Sequence, residues 1–528
     1  MLIGDRFNIH IDSYSHDGYG VGRVNGMVVM VPGAMAGETC EVTAARIADN
    51  YVIADLQKLC TSSPTRVQPF CGHFSRCGGC DLQHMSYEHQ LSFKKEVVKN
   101  ALLRIGGFSD VDSVLQDTLG MDKPFGYRNN VQFQADEEGH FGFFRKNSND
   151  VEDIDECPLQ SNLANRVFKC IKRYCRDNAF FKLERIVIRS DRQDEKFMLV
   201  LGAKKAANGV QELVDMVKTE FPECVSIYFK SEQEYNLIYG TSKMIDSIES
   251  DFLKNRLEFY VSPQSFFQVN PLQTTVLYDK VLEFAGTNLK NVFDLYCGTG
   301  TISLFLAGLA ERVTGIEAVS RAVEDAKDNA LRNNCKNAEF IKGQAEKVMP
   351  RLLAGQPRLV GGACELVVVD PPRSGCDKRL LVSVLDAKPD KIVYVSCNPA
   401  TLARDLKVLA AGGYLVEKVQ PVDMFGWTRH VECVVLMSKL KSITSIEVKI
   451  DLDEMDLTKS ESKATYDEIK AYVLEQTGLK VTQLYIAQGK RKHGIIEREN
   501  YNTGEGKTKV PRVPEELHIH NSTKYCRG

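Results

Sequence analysis

The chain contains no run of about 18 apolar residues, the length that a membrane-spanning helix requires. Residues 1–6 also lack the charged and apolar segments of a secretory signal. Both absences predict a cytoplasmic protein that does not associate with membranes. A broad positive field is absent too, because 67 Lys+Arg against 70 Asp+Glu give a net charge of −3. Any nucleic acid would therefore have to be recognised locally.

The composition is that of a folded protein with several cores. The 528 residues predict roughly three or four domains at about 150 residues each. With 43% apolar and 26% charged residues, the chain is neither disordered nor collagen-like. Its sixteen cysteines, in a reducing compartment, are predicted to be metal ligands, nucleophiles or buried apolar residues rather than disulfides.

The N-terminal half predicts a small barrel followed by an α+β region. Short apolar runs and glycines in the first 58 residues predict about five strands. This segment has four basic and seven acidic side chains, so its charge gives no argument for RNA binding. A cysteine-rich loop comes next, then a predicted amphipathic helix over 92–104 and strands over 131–134 and 185–188.

From about residue 261, apolar strands alternate with glycine-rich turns and helices, which is typical of a doubly wound α/β sheet. Strands are predicted at 291–296, 312–317, 365–370, 391–396, 413–420 and 430–437. The domains are therefore predicted as a barrel at 1–60, a central domain at 61–260, a doubly wound domain at 261–440 and an extension at 441–528. In the extension, Thr465 opens a capping box for a helix ending near Gly478, and a basic patch follows at 490–493. Its role stays unassigned.

A glycine-rich turn, Cys297-Gly298-Thr299-Gly300-Thr301, follows the first of these strands, and Glu317 ends the next one. A carboxylate there can accept hydrogen bonds from both hydroxyls of a ribose, which indicates an adenosine-type ligand. NAD sites normally have a third glycine, where this chain has Ser303 or Leu304. Because S-adenosylmethionine has no pyrophosphate to hold, the turn favours that cofactor.

Three reactive side chains are predicted at the same edge of the sheet. Asp370 follows an apolar strand and precedes two prolines, a pattern typical of base-modifying methyltransferases, although it could also cap a turn. Cys397 follows the next strand, where a thiol can be a nucleophile or a small buried side chain. Glu432 is a carboxylate in an otherwise apolar strand, which fits a general base or a structural hydrogen-bond partner.

A thiolate and a carboxylate beside S-adenosylmethionine suit methylation of a pyrimidine at C5. C5 is a poor nucleophile until a thiolate adds at C6, and a base must then remove the C5 proton before the thiolate can leave. Cys397 and Glu432 are the predicted nucleophile and base. The target base would have to be flipped out or lie in a loop.

Residues 1–440 resemble the RNA 5-methyluridine methyltransferases that modify uridines in bacterial 23S ribosomal RNA and transfer RNA. The segment Val31-Pro32-Gly33-Ala34 resembles the TRAM domain of that family, an OB-type RNA-binding barrel, and 262–270 resembles its segment with a cofactor-binding Gln. The resemblance implies a Rossmann-like fold, a monomer acting on RNA, most simply 23S ribosomal RNA, and specific site residues. These are Gln268, Tyr296, Glu317 and Asp370 for the cofactor, Cys397 as nucleophile and Glu432 as base.

Cys71, Cys77 and Cys80 have the spacing C-x5-C-x2-C, and Cys157 lies 77 residues beyond Cys80. Spacing alone leaves an iron–sulfur cluster, a zinc ion or no metal open. The resemblance implies a [4Fe–4S] cluster, because ribosomal-RNA members of the family carry one at matching positions. We expect it to fold the central domain and to shape an RNA-contact surface, since the methylation chemistry has no redox step.

Two other base methylations fit the sequence less well than uridine methylation. Cytosine-C5 enzymes usually place a Cys directly after Asp-x-Pro, where this chain has Arg373, and adenine-N6 enzymes generally want an aromatic residue there. The remaining alternatives are a transfer RNA uridine-C5 methyltransferase and a non-catalytic RNA-binding or ribosome-assembly factor. Trp427, the one tryptophan, could stack on a flipped base or belong to the core.

Overall fold

The computed structural model describes residues 1–178, 183–203, 209–232, 234–355 and 364–440. The predicted extension at 441–528, with its helix at 465–478 and the basic patch at 490–493, lies outside the described residues. Within the described ranges, no helix is both long and apolar enough to cross a lipid bilayer.

The N-terminal segment forms a six-stranded sheet in the order β1-β5-β6-β4-β3-β2. Its strands are β1 (Arg6–His10), β2 (Ser13–Tyr14), β3 (Gly20–Val24), β4 (Met27–Val31), β5 (Thr39–Ile47) and β6 (Tyr51–Thr61). The sheet curls so that β3 approaches β1, and a Cβ on Gly22 would lie 2.1 Å from the carbonyl oxygen of His10. Only glycine allows this contact. The predicted short strands are present, six of them where about five were expected.

Helix α1 (Tyr87–Ala101) follows the cysteine-rich loop and continues into a π-helical turn at Leu102–Gly106. The sequence predicted this helix at 92–104, five residues too late at its start. The Ser86 hydroxyl caps the true N-terminus by accepting a hydrogen bond from the His89 N–H. Gly107, with φ of +73°, ends the turn in the left-handed region.

The central region is a seven-stranded sheet in the order β13-β12-β11-β10-β7-β8-β9. Its strands are β7 (Asn130–Ala135), β8 (Phe141–Phe144), β9 (Val151–Asp153), β10 (Arg185–Ser190), β11 (Phe197–Gly202), β12 (Cys224–Ser231) and β13 (Glu234–Gly240). Helices α2 (Asn162–Asp177) and α3 (Val210–Glu220) contribute to its apolar core. Both strands predicted here are present, at β7 and β10.

A hairpin and a second seven-stranded sheet complete the described chain. The hairpin is β14 (Met244–Ser250) and β15 (Asn255–Val261). The sheet strands are β16 (Leu289–Leu295), β17 (Ala310–Glu317), β18 (Ala338–Lys342), β19 (Leu366–Val369), β20 (Lys391–Ser396), β21 (Tyr414–Val422) and β22 (Glu432–Lys439). The helices are α4 (Pro271–Ala285), α5 (Thr301–Leu306), α6 (Ser320–Arg332), α7 (Ala345–Gly355), α8 (Lys378–Ala387) and α9 (Pro399–Ala411).

The strand order of this sheet is β18-β17-β16-β19-β20-β22-β21, with only β22 antiparallel to its neighbours. All six predicted strands are confirmed; β20 has the predicted bounds, and the ends of the others differ by at most two residues. The prediction missed β18, a five-residue edge strand in which charged residues flank the apolar ones. Apolar side chains cover both faces of the sheet, and α1 packs Val98 and Ala101 against one of them.

Candidate active site and cysteine cavity

Five predicted site residues lie at one edge of the second seven-stranded sheet. Tyr296 directly follows β16, Glu317 ends β17, Asp370 follows β19 and Cys397 follows β20. Glu432 begins β22, which reaches the same edge because it runs antiparallel. Ligands of open α/β sheets bind outside the carboxyl ends of parallel strands, so this edge is where a cofactor is expected.

The strand register brings the predicted nucleophile and base next to each other. Ser396 of β20 pairs with Cys433 of β22. Cys397 and Glu432 are the next residues along these two strands, one step beyond that pair. Residues opposite each other on neighbouring strands lie about 4.5–5.5 Å apart. The two reactive groups are therefore side by side, although 35 residues separate them in the chain.

Gln268, Tyr296 and Asp370 line a cleft with an empty volume of about 410 Å³. The Glu317 carboxylate borders it by accepting hydrogen bonds from the Gly298 N–H at 3.1 Å and the Val319 N–H at 2.8 Å. A carboxylate has about four acceptor positions, so two remain for ligand hydroxyls. A Cβ on Gly298 would meet nothing within 4 Å, which leaves open space beside the turn.

Asp294 is a site residue that the sequence analysis missed. It is the next-to-last residue of β16, is buried, and lines the same cleft. Ser303 donates a hydrogen bond to Oδ2, whereas Oδ1 has no partner among the described residues. Burial raises its pKa to about 7, and the Ser303 hydrogen bond opposes this. The signal was available, because Asp294 is a lone carboxylate in an apolar strand, as Glu432 is.

Burial and the repulsion between negative charges raise the pKa values of the reactive groups. Burial raises the pKa of Asp370 to about 6. Burial, helped by the nearby Asp370 charge and opposed by Arg373, raises the pKa of Glu432 to about 8. Burial also raises the pKa of the Cys397 thiol to about 11, with Glu432 and Asp370 adding to the shift and Arg373 opposing it. A cation near these groups would thus favour both the thiolate and the ionised base.

Arg373 is a second residue whose place in the site was not predicted. Its carbonyl oxygen accepts hydrogen bonds from the Asn398 side chain at 3.1 Å and from the Thr401 hydroxyl at 3.2 Å. These bonds tie the segment after Asp370 to the start of α9, directly after Cys397. The Arg373 guanidinium lowers the pKa of both the Cys397 thiol and the Glu432 carboxyl. No sequence pattern indicates that the loop carrying Arg373 lies next to the loop carrying Cys397.

A larger cleft reaches Cys397 from the other side. It is bordered by β2 to β4 of the N-terminal sheet, by α1 and by the loops that carry Arg373 and Cys397. Its lining includes four arginines and three carboxylates, which are Arg23, Arg104, Arg373, Arg429, Asp12, Asp17 and Glu96. Arg373 lines this cleft and Asp370 lines the smaller one, so the two clefts approach each other at this segment.

The four predicted metal ligands, Cys71, Cys77, Cys80 and Cys157, line one cavity of about 560 Å³ in empty volume. Burial raises the pKa of Cys77, Cys80 and Cys157, and the other thiols of the set add to each shift. The sulfurs are therefore neighbours. The Gly79 N–H donates to the Cys77 sulfur at 3.4 Å, and the Leu159 N–H lowers the pKa of Cys157. Such donors stabilise sulfur ligands.

The spacing of these sulfurs bears on the kind of metal. No three of the four cysteine sulfurs lie within 4.8 Å of one another. In the described ranges, a group of ligand atoms that close is found at Asp136, Glu138 and His140, on a largely exposed turn. Sulfurs around a single zinc at about 2.3 Å would lie about 3.8 Å apart. The cysteine sulfurs in this cavity are therefore spaced more widely than the ligands of a single zinc ion.

Trp427 belongs to the core. It is 6% exposed and packs with Cys80, Met121, Tyr127 and Leu159. Its Nε1–H donates to the Pro124 carbonyl at 2.7 Å. Of the two roles open from the sequence, stacking on a flipped base is therefore excluded in this arrangement. Phe266, which is 73% exposed and lines the smaller cleft, is the more accessible aromatic ring.

Residues 86–440 match the family model described as tRNA (Uracil-5-)-methyltransferase, and residues 2–56 match the TRAM domain. The chain belongs to the tRNA (uracil-5-)-methyltransferase family. An uncharacterized RNA methyltransferase of Clostridium tetani is 41% identical over 453 residues, 82% of this chain and 96% of that protein. A Bacillus cereus protein of the same description is 40% identical over 452 residues, with the same shares covered.

Among solved structures, the chain is similar to the Pyrococcus abyssi tRNA (uracil-54, C5)-methyltransferase in complex with S-adenosyl-L-homocysteine. The TM-score is 0.64 at 29% identity, covering 81% of this chain and 99% of that one. The prediction of a SAM-dependent RNA methyltransferase with an N-terminal TRAM domain is confirmed at the level of the family. The alternative of a non-catalytic RNA-binding factor is not supported.

Proposed function

We propose that this protein methylates C5 of a uridine in RNA, with 23S ribosomal RNA as the substrate, and that it acts as a monomer. The observation that carries the proposal is the position of Cys397 beside Glu432, at the sheet edge that also holds Asp370. A thiol paired with a carboxylate of raised pKa suits addition to C6 followed by removal of the C5 proton.

The smaller cleft suits S-adenosylmethionine because its charges are complementary to that cofactor. Asp294, Glu317 and Asp370 surround or border it, and the first has an unpartnered buried oxygen. Carboxylates repel a pyrophosphate but attract a sulfonium and an ammonium group. We assign Glu317 to the ribose hydroxyls, Asp294 to the ammonium group, and Gln268, Tyr296 and Asp370 to further cofactor contacts.

When bound, S-adenosylmethionine supplies an electrophilic methyl group on a sulfonium sulfur. The Cys397 thiolate adds to C6 of the uracil ring and makes C5 nucleophilic. After C5 has taken the methyl group, Glu432 accepts the C5 proton. The electrons of that C–H bond restore the C5–C6 double bond, and the Cys397 thiolate leaves. Arg373 opposes the raised pKa of both groups and so assists both steps.

The large cleft is proposed to hold the RNA. It extends from the TRAM sheet to Cys397, and its four arginines, which outnumber its three carboxylates by one, can contact phosphate groups. Specificity would come from a folded loop and an extruded base more than from long-range attraction. Transfer RNA is the second candidate substrate, favoured by the named substrate of the Pyrococcus abyssi enzyme.

The test is incubation with S-adenosylmethionine and 5-fluorouridine RNA. Fluorine cannot be removed from C5 as a proton, so a covalent protein–RNA adduct should accumulate and survive denaturation. Ribosomal and transfer RNA are tested separately, and mass mapping identifies the modified uridine. Failure to form an adduct with either RNA would overturn the proposed function. An adduct with transfer RNA alone would overturn the ribosomal assignment.

We expect Glu317→Gln to weaken S-adenosylmethionine binding by about 10- to 100-fold, because hydrogen bonds to charged groups contribute about 1.5–3 kcal/mol. Isothermal titration measures the dissociation constant directly. Glu311→Gln is the matched control, since this exposed carboxylate lies on the same strand, β17. Equal affinities of the wild type and Glu317→Gln would contradict the ribose assignment.

A [4Fe–4S] cluster is proposed for the cavity of Cys71, Cys77, Cys80 and Cys157. When bound, it would stabilise the central domain, because no step of the methylation needs an electron. Chemical analysis of anaerobically purified protein should find about four iron and four acid-labile sulfide per chain, with visible absorption that Cys77→Ser removes. Cys60→Ser, at an exposed thiol, is the control. Stoichiometric zinc instead would contradict the cluster.

A further inference from the structure

Trp427 connects the cysteine cavity to the catalytic strand. Its indole packs in the same apolar cluster as Cys80 and Cys157. Its backbone has φ of +67°, an uncommon conformation for a bulky residue. Such a strained conformation persists only where the surroundings enforce it. Glu432 lies five residues further along the chain.

The residues directly after Cys80 supply part of this enforcement. The backbone N–H groups of Asp81 and Leu82 both donate to the Trp427 carbonyl oxygen at 3.0 Å. The Trp427 N–H donates to Gln90 Oε1 at 3.1 Å. The cysteine-rich loop therefore holds the main chain of the segment that leads into β22.

The Asp81 side chain extends this contact toward the active site. Its Oδ2 accepts a hydrogen bond from the Arg429 N–H at 3.2 Å, and its Oδ1 lies 3.7 Å from Arg429 Nη1. Arg429 Nε also lies 3.3 Å from Asp17 Oδ1, in the turn between β2 and β3 of the TRAM domain. Arg429 lies three residues before Glu432 in the chain, and it lines the large cleft together with Cys397.

We propose that Asp81 is a positioning residue for Glu432, acting through the segment 427–431; this inference rests on the proposed function. Asp81 fixes the main chain at Arg429, which sets where β22 begins and hence where the Glu432 carboxylate lies. A general base must be within hydrogen-bond reach of the proton that it removes. A displacement of about 1 Å can cost about 100-fold in rate.

The effect should be confined to the late step of the reaction. Cys397 is carried by β20 and α9, whose start is held by Asn398 and Thr401 through the Arg373 carbonyl, and Asp81 contacts none of these. Loss of the Asp81 side chain therefore leaves the Cys397 thiol in place, whereas the Glu432 carboxylate is no longer held in one position. The thiolate would still add to C6, and C5 would still take the methyl group, but the C5 proton would leave slowly.

We expect Asp81→Ala to lower kcat about 10- to 100-fold with little change in KM for RNA. With ordinary uridine RNA, the variant should accumulate the methylated covalent adduct that the wild type does not accumulate. Its rate of adduct formation with 5-fluorouridine RNA should match that of the wild type, because that adduct forms before the proton-removal step. Rapid-quench kinetics with denaturing gels measure all three quantities.

Two variants control the experiment. Asp81→Asn keeps an oxygen that can accept from the Arg429 N–H, so it should restore most of kcat. Asp122→Ala removes an exposed carboxylate of the central region that makes no hydrogen bond or ion pair with the described residues, and should behave as wild type. Since Trp427 is the one tryptophan of the chain, its fluorescence reports the solvent exposure of this segment independently of catalytic activity. Asp81→Ala alone should show increased acrylamide quenching.

The proposal fails if Asp81→Ala turns over like the wild type. It also fails if the variant forms the uridine adduct and the 5-fluorouridine adduct more slowly to the same extent, because that would indicate general damage to the site. It fails too if Asp81→Asn is as slow as Asp81→Ala or if the quenching is unchanged. These outcomes differ from failure of the proposed function, in which the wild type itself forms no adduct with 5-fluorouridine RNA.

Discussion

Replacing Cys397 by alanine should abolish methylation of RNA, with a loss of about 10⁴-fold or more in turnover, as is usual for the loss of an enzymatic nucleophile. Among the described residues at this sheet edge, Asp370 and Glu432 are carboxylates and the thiols of Cys297 and Cys433 are buried, whereas the Cys397 thiol is partly exposed. The covalent adduct with 5-fluorouridine RNA should disappear together with turnover. Gel analysis of radiolabelled RNA measures the adduct, and incorporation of a labelled methyl group measures turnover.

Binding of S-adenosylmethionine should survive in Cys397→Ala, because none of the cofactor contacts that we assign involves the thiol. This separates loss of the nucleophile from loss of the site. Cys60→Ala is the matched control, since this thiol is exposed on β6 and distant in the fold from the sheet edge. A Cys397→Ala protein that still formed the adduct would exclude Cys397 as the nucleophile.

The chemistry of this site could be predicted from the sequence because it depends on strand ends. Cys397 ends one apolar strand and Glu432 interrupts another, and both patterns are visible in a single chain. Their contact follows once β22 is placed antiparallel next to β20. The sequence does not state that strand order, so it predicted the two roles but not the distance between the groups.

Other features depend on contacts between distant segments and have no local pattern. The Asp81 and Trp427 contact joins segments almost 350 residues apart, and Trp427 could be assigned to the core only after Pro124 and Cys80 were placed beside it. Helix α1 begins earlier than predicted because Ser86 caps it, a local signal that the apolar periodicity of 92–104 outweighed. Strand β18 was missed because parallel pairing with β17, rather than its own composition, defines it.

Replacing Glu432 by glutamine should stop the reaction after methyl transfer. The amide has nearly the same shape but cannot accept the C5 proton, so the enzyme should remain joined to methylated RNA through Cys397. We expect turnover to fall by about 10²- to 10⁴-fold, the usual contribution of general acid–base catalysis. The adduct with ordinary uridine RNA should appear on denaturing gels, and mass spectrometry of the trapped nucleotide should show the added methyl group.

Glu417→Gln is the matched control for this variant, because Glu417 is an exposed carboxylate on the neighbouring strand β21. It should turn over as the wild type does and accumulate no adduct. If Glu432→Gln formed no adduct with uridine RNA while forming the 5-fluorouridine adduct normally, another group would be removing the C5 proton and Glu432 would not be the base.

The pH dependence of the two steps should distinguish the base from the nucleophile. Burial raises the pKa of Glu432 to about 8, so only about a tenth of it is ionised at pH 7. Only the ionised form accepts a proton, and breakdown of the methylated adduct should therefore speed up about tenfold between about pH 7 and 9 and then level off. Adduct formation depends on the Cys397 thiolate, whose pKa is raised to about 11, and should keep rising beyond that range. In Glu432→Gln, the remaining rate of adduct breakdown should no longer rise with pH near pH 8. If that rise persisted, it would have to come from the titration of another group.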